Sequence, residues 1–349
     1  MYDNFDNFDN FDKQPIDPPM TDKEKKSHKQ IFSKICLAFF AFMVITNGLS
    51  IAASYILYNN APKLLNDYNF VIVLSSVLQY GIGFPVLFLM LRKIPKQAPA
   101  QNPLGTKSFL KYAAVSVFFM YVGNFISSFL MTYIEAALGR MPENAVDTVL
   151  DNTNIVLSII LVGIIGPIVE EFMFRKWFTD RLTPYGDKIA IFIPALIFGL
   201  FHANLYQFFY AFFLGAIFSY IYVKTGKLIY TCALHVFINL FFGVLPSFIF
   251  SKIDLEELME LSASGGIPEA YVEANLMPLS LLLIYEFVMY GLIFAGIFIL
   301  SRNIRYINFN RGAVKLPKGE GADIMFFNAG AILLITVCLI LTAINTFAA

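Results

Sequence analysis

The sequence predicts an all-α, polytopic membrane helix bundle of about nine transmembrane helices. Three observations predict it. Hydrophobic residues make up 58% of the chain and charged residues 14%, against about 25% charged in a soluble domain, and the mean hydropathy is +0.66. The apolar residues fall into nine runs, at 32–58, 68–91, 109–134, 154–178, 189–203, 205–223, 228–246, 279–300 and 325–347; a span needs about 20 such residues. Finally, 22 of the 25 lysines and arginines lie on one set of alternate loops, leaving only Lys63, Arg140 and Lys252 for the other set.

Residues 1–30 are polar and open with three copies of Asp-Asn-Phe, followed by Pro15, Pro18 and Pro19. Such a repeat cannot bury a core, so a disordered tail is expected, and no cleavable signal peptide is expected ahead of the first run. Residues 31–150 supply the N-terminal spans. Residues 151–246 hold the polar intramembrane side chains and are read as the catalytic core. In that core the fifth run is short for a span and meets the sixth almost without a loop, which suggests a tight hairpin. Residues 247–349 carry an acidic loop, with Asp254, Glu256, Glu257, Glu260, Glu269 and Glu273, and then the last spans. Part of that loop suits a short surface helix.

The charge split sets the orientation. Lys and Arg accumulate on cytoplasmic loops, so the N-terminus is expected in the cytoplasm and the C-terminus outside, in an integral protein of the cell membrane. Net charge is zero, which gives no bulk basicity for nucleic acid; the expected partners are membrane lipid and a peptide or protein substrate. Cys36, Cys232 and Cys338 all lie in apolar runs, which speaks against a disulfide framework.

The chain turns on residues 166–175, Gly-Pro-Ile-Val-Glu-Glu-Phe-Met-Phe-Arg. A charge at mid-bilayer costs roughly 2.5–3.5 kcal/mol on insertion scales, and three occur here together. Glu171 and Arg175 are spaced i,i+4, share a helix face and can pair. Glu170 points about 100° away, free to face a cavity. Pro167 removes a backbone donor just before the pair and is expected to kink the helix. The fifth run contributes Phe198 and His202; the seventh contributes His235 and Asn239, again i,i+4. Burial raises a glutamate's pKa while a nearby cation lowers it, a combination suited to a general base. Histidine and asparagine can assist water or an oxyanion.

These motifs, Glu-Glu-x-x-x-Arg, Phe-x-x-x-His and His-x-x-x-Asn on successive apolar helices, resemble the CPBP family of intramembrane proteases, which includes CAAX prenyl endopeptidases and bacteriocin-processing or immunity proteins. The resemblance covers about residues 155–246. It implies that Glu170 and His202 activate water, that His235 and Asn239 stabilise the oxyanion, and that Glu171 and Arg175 order the first helix. Cofactor use stays open between none and zinc, for which Glu170, His202 and His235 are the ligand candidates, since zinc accepts two His and a Glu.

Plainer readings stand beside these. A single buried histidine is often only a satisfied core residue, Arg175 can snorkel to an interface, and Phe198 suits packing. A Cys232–His235 dyad is the weakest option. No His-Glu-x-x-His or Gly-x-Ser-x-Gly occurs, and no span-buried aspartate pair is available. The alternative functions are a non-catalytic immunity or scaffold protein of the same fold, and an ion-coupled transporter, for which the internal symmetry of broken helices is missing. Lys176 and Trp177 suggest an interface near residue 178. That leaves Glu170 shallower than His202 unless the fourth helix continues toward Leu182. Access to the site is expected from the cytoplasm.

Overall fold

Helices begin where polar side chains can occupy their unpaired backbone donors. The computed structural model describes residues 20–347, and the Asp-Asn-Phe repeats lie outside the described residues. Helix α1 (Asp22–Asn60) starts well before the first apolar run. Thr21 accepts from the Glu24 N–H, while Glu24 accepts from the Thr21 N–H, a reciprocal cap at the helix start. Apolar runs do not reveal such a cap, and so residues 22–30 read as tail in the sequence.

The chain continues through α2 (Tyr68–Leu91), α3 (Thr106–Leu138), short α4 (Ala145–Asn152), α5 (Ile155–Tyr185), α6 (Asp187–Phe201), α7 (Leu205–Thr225) and α8 (Leu228–Phe250). Two short helices, α9 (Leu255–Ala263) and α10 (Glu269–Ala274), occupy the acidic loop. Then come α11 (Leu276–Tyr306), short α12 (Gly321–Phe326) and α13 (Ala329–Phe347). Asp67, Asn144, Asn154, Asn204 and Asp254 cap the starts of α2, α4, α5, α7 and α9 with their side-chain oxygens. Among the described residues the one β-type pairing is an isolated bridge between Gly186 and Arg311.

Eight of these helices are long and apolar enough to cross a membrane; α6, with 15 residues, is too short for that criterion. It still runs from one end of the bundle to the other, from Asp187 to the Ala203–Asn345 contact. The polar segments segregate into two ends. At one end Lys25 pairs with Glu320 and Lys29 with Asp323, Gln97 N–H donates to the Asp180 carbonyl, Asn102 N–H to Thr225, and Asp187 N–H to Asn310. All five lysine- and arginine-rich segments therefore meet. At the other end Arg140 donates to the Phe347 carbonyl, Asn154 N–H to Asn69, Ser247 to Asp151, and Tyr206 to the Pro142 carbonyl. Among the described residues, α1 starts at the basic end and α13 stops at the other.

Prolines shape the spans. Three π-helical stretches, Val77–Gly83 in α2, Ser158–Ile165 in α5 and Asn239–Val244 in α8, each end two residues before a proline: Pro85, Pro167 and Pro246. Proline has no N–H and its ring crowds the carbonyl four residues back; a wider turn relieves both and occurs often at functional sites. The expected kink at Pro167 thus takes the form of a π-helical stretch.

The centre of the bundle is α7, which packs on α6 and α3, while α3 carries α11 and α1 carries α13. Lipid gives no hydrophobic drive between helices, so close approach through small residues matters. A Cβ on Gly199 would lie 2.8 Å from the Phe208 carbonyl oxygen, and one on Gly215 would lie 3.1 Å from the Ala195 backbone. The α6–α7 hairpin needs these glycines. Its turn is Ala203, at φ 48, and Asn204. A left-handed alanine costs roughly 1–2 kcal/mol; its carbonyl is held by Asn345 at 2.9 Å.

Candidate active site

Charged side chains inside a bilayer persist where they pair with one another and face the bundle interior. Glu171 and Arg175 meet that condition. Arg175 Nε lies 3.0 Å from Glu171 Oε2 and Nη2 donates to Oε1 at 3.1 Å, with both side chains fully buried. The guanidinium carbon sits 5.1 Å from the Phe198 ring centroid and 5.7 Å from that of Phe218. Aromatic faces attract a desolvated cation, so this arginine is enclosed rather than snorkelling.

His235 joins the same group. Its Nδ1 lies 3.0 Å from Glu171 Oε1. A carboxylate only accepts, so Nδ1 carries the hydrogen, and in the neutral form of the ring Nε2 keeps its lone pair. That Nε2 lies 3.7 Å from Glu170 Oε2. A water oxygen about 2.8 Å from each atom closes a triangle on this edge. His202 is fixed in the same way: Nδ1 donates to the Phe198 carbonyl at 2.8 Å, leaving Nε2 as an acceptor. Phe198 stands edge-on to both imidazoles, with centroids 4.9 Å from His202 and 5.8 Å from His235. Asn239 spends one amide hydrogen on the Val162 carbonyl at 3.0 Å, a carbonyl in the π-helical stretch before Pro167. Its second N–H is left for another acceptor.

The two adjacent glutamates therefore live in different surroundings. The Glu171 side chain is 0% exposed and ringed by donors, whereas Glu170 is 30% exposed and lines a cavity of about 910 Å³. His202, His235, Asn239 and Phe198 share the wall of that cavity. Glu171 and Arg175 stand behind it.

The depths of Glu170 and His202 agree because α5 runs on to Tyr185. By the helical rise Glu170 is roughly 22 Å from that end, and so is His202 from the start of α6 at Asp187. His235 is only roughly 10 Å into α8. It nevertheless reaches Glu170, and residues 99–104 lie against the start of α8, with Leu104 N–H donating to Tyr230 at 2.9 Å.

Several cavity residues went unread in the sequence. Gln79 and Tyr80 come from α2 and Asn124 from α3. Gln79 and Asn124 are amides within spans, a signal of the same kind as Asn239. The zinc candidates Glu170, His202 and His235 do not form a ligand set: among the described residues no group of three His, Cys, Asp or Glu side chains is spaced to hold a metal ion. Cys232 is buried on the same helix as His235.

Residues 152–241 match the family model described as "Type II CAAX prenyl endopeptidase Rce1-like". Among curated proteins, the chain is 30% identical over 176 residues to the Bacillus subtilis protein "Putative membrane peptidase YdiL", covering 48% of this chain and 69% of that one. It is 25% identical over 128 residues to "UPF0177 protein YxdF" of Lactococcus lactis, covering 36% of this chain and 71% of that one. No solved structure matches.

Proposed function

Because this chain belongs to the CPBP family of intramembrane proteases, we propose that it is an intramembrane endopeptidase in which Glu170 and His202 activate the attacking water. The observation that carries this reading is the divided environment of the glutamate pair. Glu171 is saturated by Arg175 and His235, while Glu170 lines the cavity with His235 Nε2 3.7 Å from its Oε2 and with His202 on the same wall.

Water bound between Glu170 and the imidazoles gives a proton to the Glu170 carboxylate as its oxygen attacks the scissile carbonyl carbon. The resulting oxyanion accepts the second amide hydrogen of Asn239. His235 adds a second donor when its Nε2 takes that proton over from Glu170, a charge that the Glu171 carboxylate on Nδ1 stabilises. As the tetrahedral intermediate collapses, the carbon–nitrogen bond breaks and the amine takes the proton that water gave up, from Glu170 or His235. Glu171 and Arg175 touch no reacting atom; they are positioning residues that fix α5 and the His235 tautomer.

The substrate is a membrane-associated peptide: a prenylated CAAX-type tail, the class named in the family description, or a bacteriocin or leader peptide. The protein resides in the cell membrane with its N-terminus in the cytoplasm, on the strength of the 22-to-3 charge split.

Substrate trapping tests the reading. Glu170→Gln is expected to retain a bound peptide that the parent protein cleaves, with the captured peptide identified by mass spectrometry. Cleavage by Glu170→Ala at the parent rate sinks it.

A further inference from the structure

We propose that the scissile peptide is loaded from the lysine- and arginine-poor face of the bundle, which the charge split makes the exoplasmic face. This deepens the protease reading and rests on it.

The cavity is one-sided. From Glu170 and His235 its wall runs outward along α2 through Gln79 and Ser75, along α3 through Asn124 and Ser128, and reaches Asp147 and Asp151 on α4. Each of these helices ends at the lysine- and arginine-poor face: α2 starts there and α3 stops there. No residue of the basic segments 92–105, 176–188, 224–228 or 302–321 lines it. Ala203, at the turn of the α6–α7 hairpin, is tied to Asn345 near the chain's far end, and Ser127 reaches Leu205 in the same turn. His202 is therefore placed at the edge that faces outward.

The opposite end is sealed. Phe174, Phe178, Leu182, Phe218, Ile221 and Tyr222 are fully buried below the site. Tyr222 donates to Asp180 at 2.7 Å, and Lys176 pairs with Asp180 at 3.2 Å. Arg181 donates to the Leu91 carbonyl, joining α5 to α2. A peptide arriving at the basic end meets packed aromatic side chains and this network; one arriving at the other end meets an open cavity. This reverses the cytoplasmic access expected from residue 178, and of the two proposed substrate classes it favours the exported bacteriocin or leader peptide over the prenylated cytoplasmic tail. Among its lining residues the cavity carries Asp147, Asp151 and Glu170 and no lysine or arginine, so neutral or basic residues fit beside the scissile bond.

The test is thiol accessibility in intact cells expressing the full chain. Single cysteines are placed in the cavity (Asn124→Cys and Ser128→Cys), at the poor end (Asn59→Cys) and at the basic end (Asn303→Cys), and a membrane-impermeant cationic methanethiosulfonate is added outside. The three native cysteines are buried and the parent chain gives the background. Asn59→Cys and both cavity variants are expected to react in intact cells, and Asn303→Cys only after permeabilisation. The cavity variants should also react on the order of 10-fold faster with the cationic reagent than with an anionic one, by local field. Reaction of both cavity variants only after permeabilisation, or faster with the anionic reagent, overturns the proposal. Ser128→Cys is an exposed position and serves if Asn124→Cys does not fold. Labelling needs no turnover, so it reports on loading even if Glu170 proves dispensable for cleavage.

Discussion

Glu171 accepts from two partners through one oxygen: Oε1 lies 3.0 Å from His235 Nδ1 and 3.1 Å from Arg175 Nη2. That shared atom ties the seventh span's histidine to the fourth span's own ion pair. It also divides two neighbouring glutamates between support and chemistry.

Removing the shared charge should therefore damage structure first. Glu171→Gln strands Arg175 in a dry interior, and breaking a buried pair costs about 3–5 kcal/mol. A lower melting temperature in detergent and a lower yield are expected, together with loss of cleavage. Glu171→Leu combined with Arg175→Met should recover much of the stability, since apolar replacement of a buried pair is often neutral, yet stay inactive because His235 loses its anchor. A stable, inactive Glu171→Gln beside an active Glu170→Gln would mean that the two glutamates are assigned the wrong way round.

Glu170→Ala and His202→Ala act on the same water in the proposed mechanism. Each should lower turnover by about 10²–10⁴-fold, the range for a general base, with little change in melting temperature because Glu170 is partly exposed. The double variant should be little worse than either single one, as losses within a cooperating set do not add. Purified variants assayed on the trapped peptide give the comparison; additive losses would place the two residues in separate steps.

Asn239→Ala removes one oxyanion donor, an interaction made in the transition state. A fall in kcat of about 10²–10³-fold is expected, with KM nearly unchanged. The Val162 carbonyl also loses its partner, so a stability loss of about 1 kcal/mol should accompany it. A rise in KM at constant kcat would instead make Asn239 a substrate-binding residue.

Local spacing made part of this site legible. Glu171 and Arg175 sit one turn apart, as do His235 and Asn239, and a helix places such pairs on one face whatever surrounds it. The 100° step between Glu170 and Glu171 likewise separated their environments. Long-range features were not legible. The seal of Phe174, Phe178 and Tyr222 depends on which helices meet, and so does the contact of residues 99–104 with Gly226 and Tyr230 at the start of α8. The π-helical stretches do leave a trace, a proline two residues beyond each of three of them, but Pro194 inside α6 carries none, so proline alone does not predict them.

The α6–α7 hairpin offers the sharpest separation of position from chemistry. Gly199 touches no catalytic atom and lies three residues before His202, where a Cβ would come within 2.8 Å of the Phe208 carbonyl and 3.3 Å of the Phe212 Cβ. Backbone cannot yield as a side-chain tip does, so Gly199→Ala must push α6 from α7. Overpacking of this kind costs about 1–3 kcal/mol. The shift falls on the helix end that carries His202, and misplacement by about 1 Å can cost 10²-fold in rate. Gly199→Ala should thus lose both melting temperature and kcat while Glu170, Glu171 and His235 are untouched. Gly48→Ala, with open space around it, is the control and should change neither. If Gly199→Ala melts as the parent does and cleaves at the parent rate, the close approach of the hairpin helices is not what places His202 against the cavity.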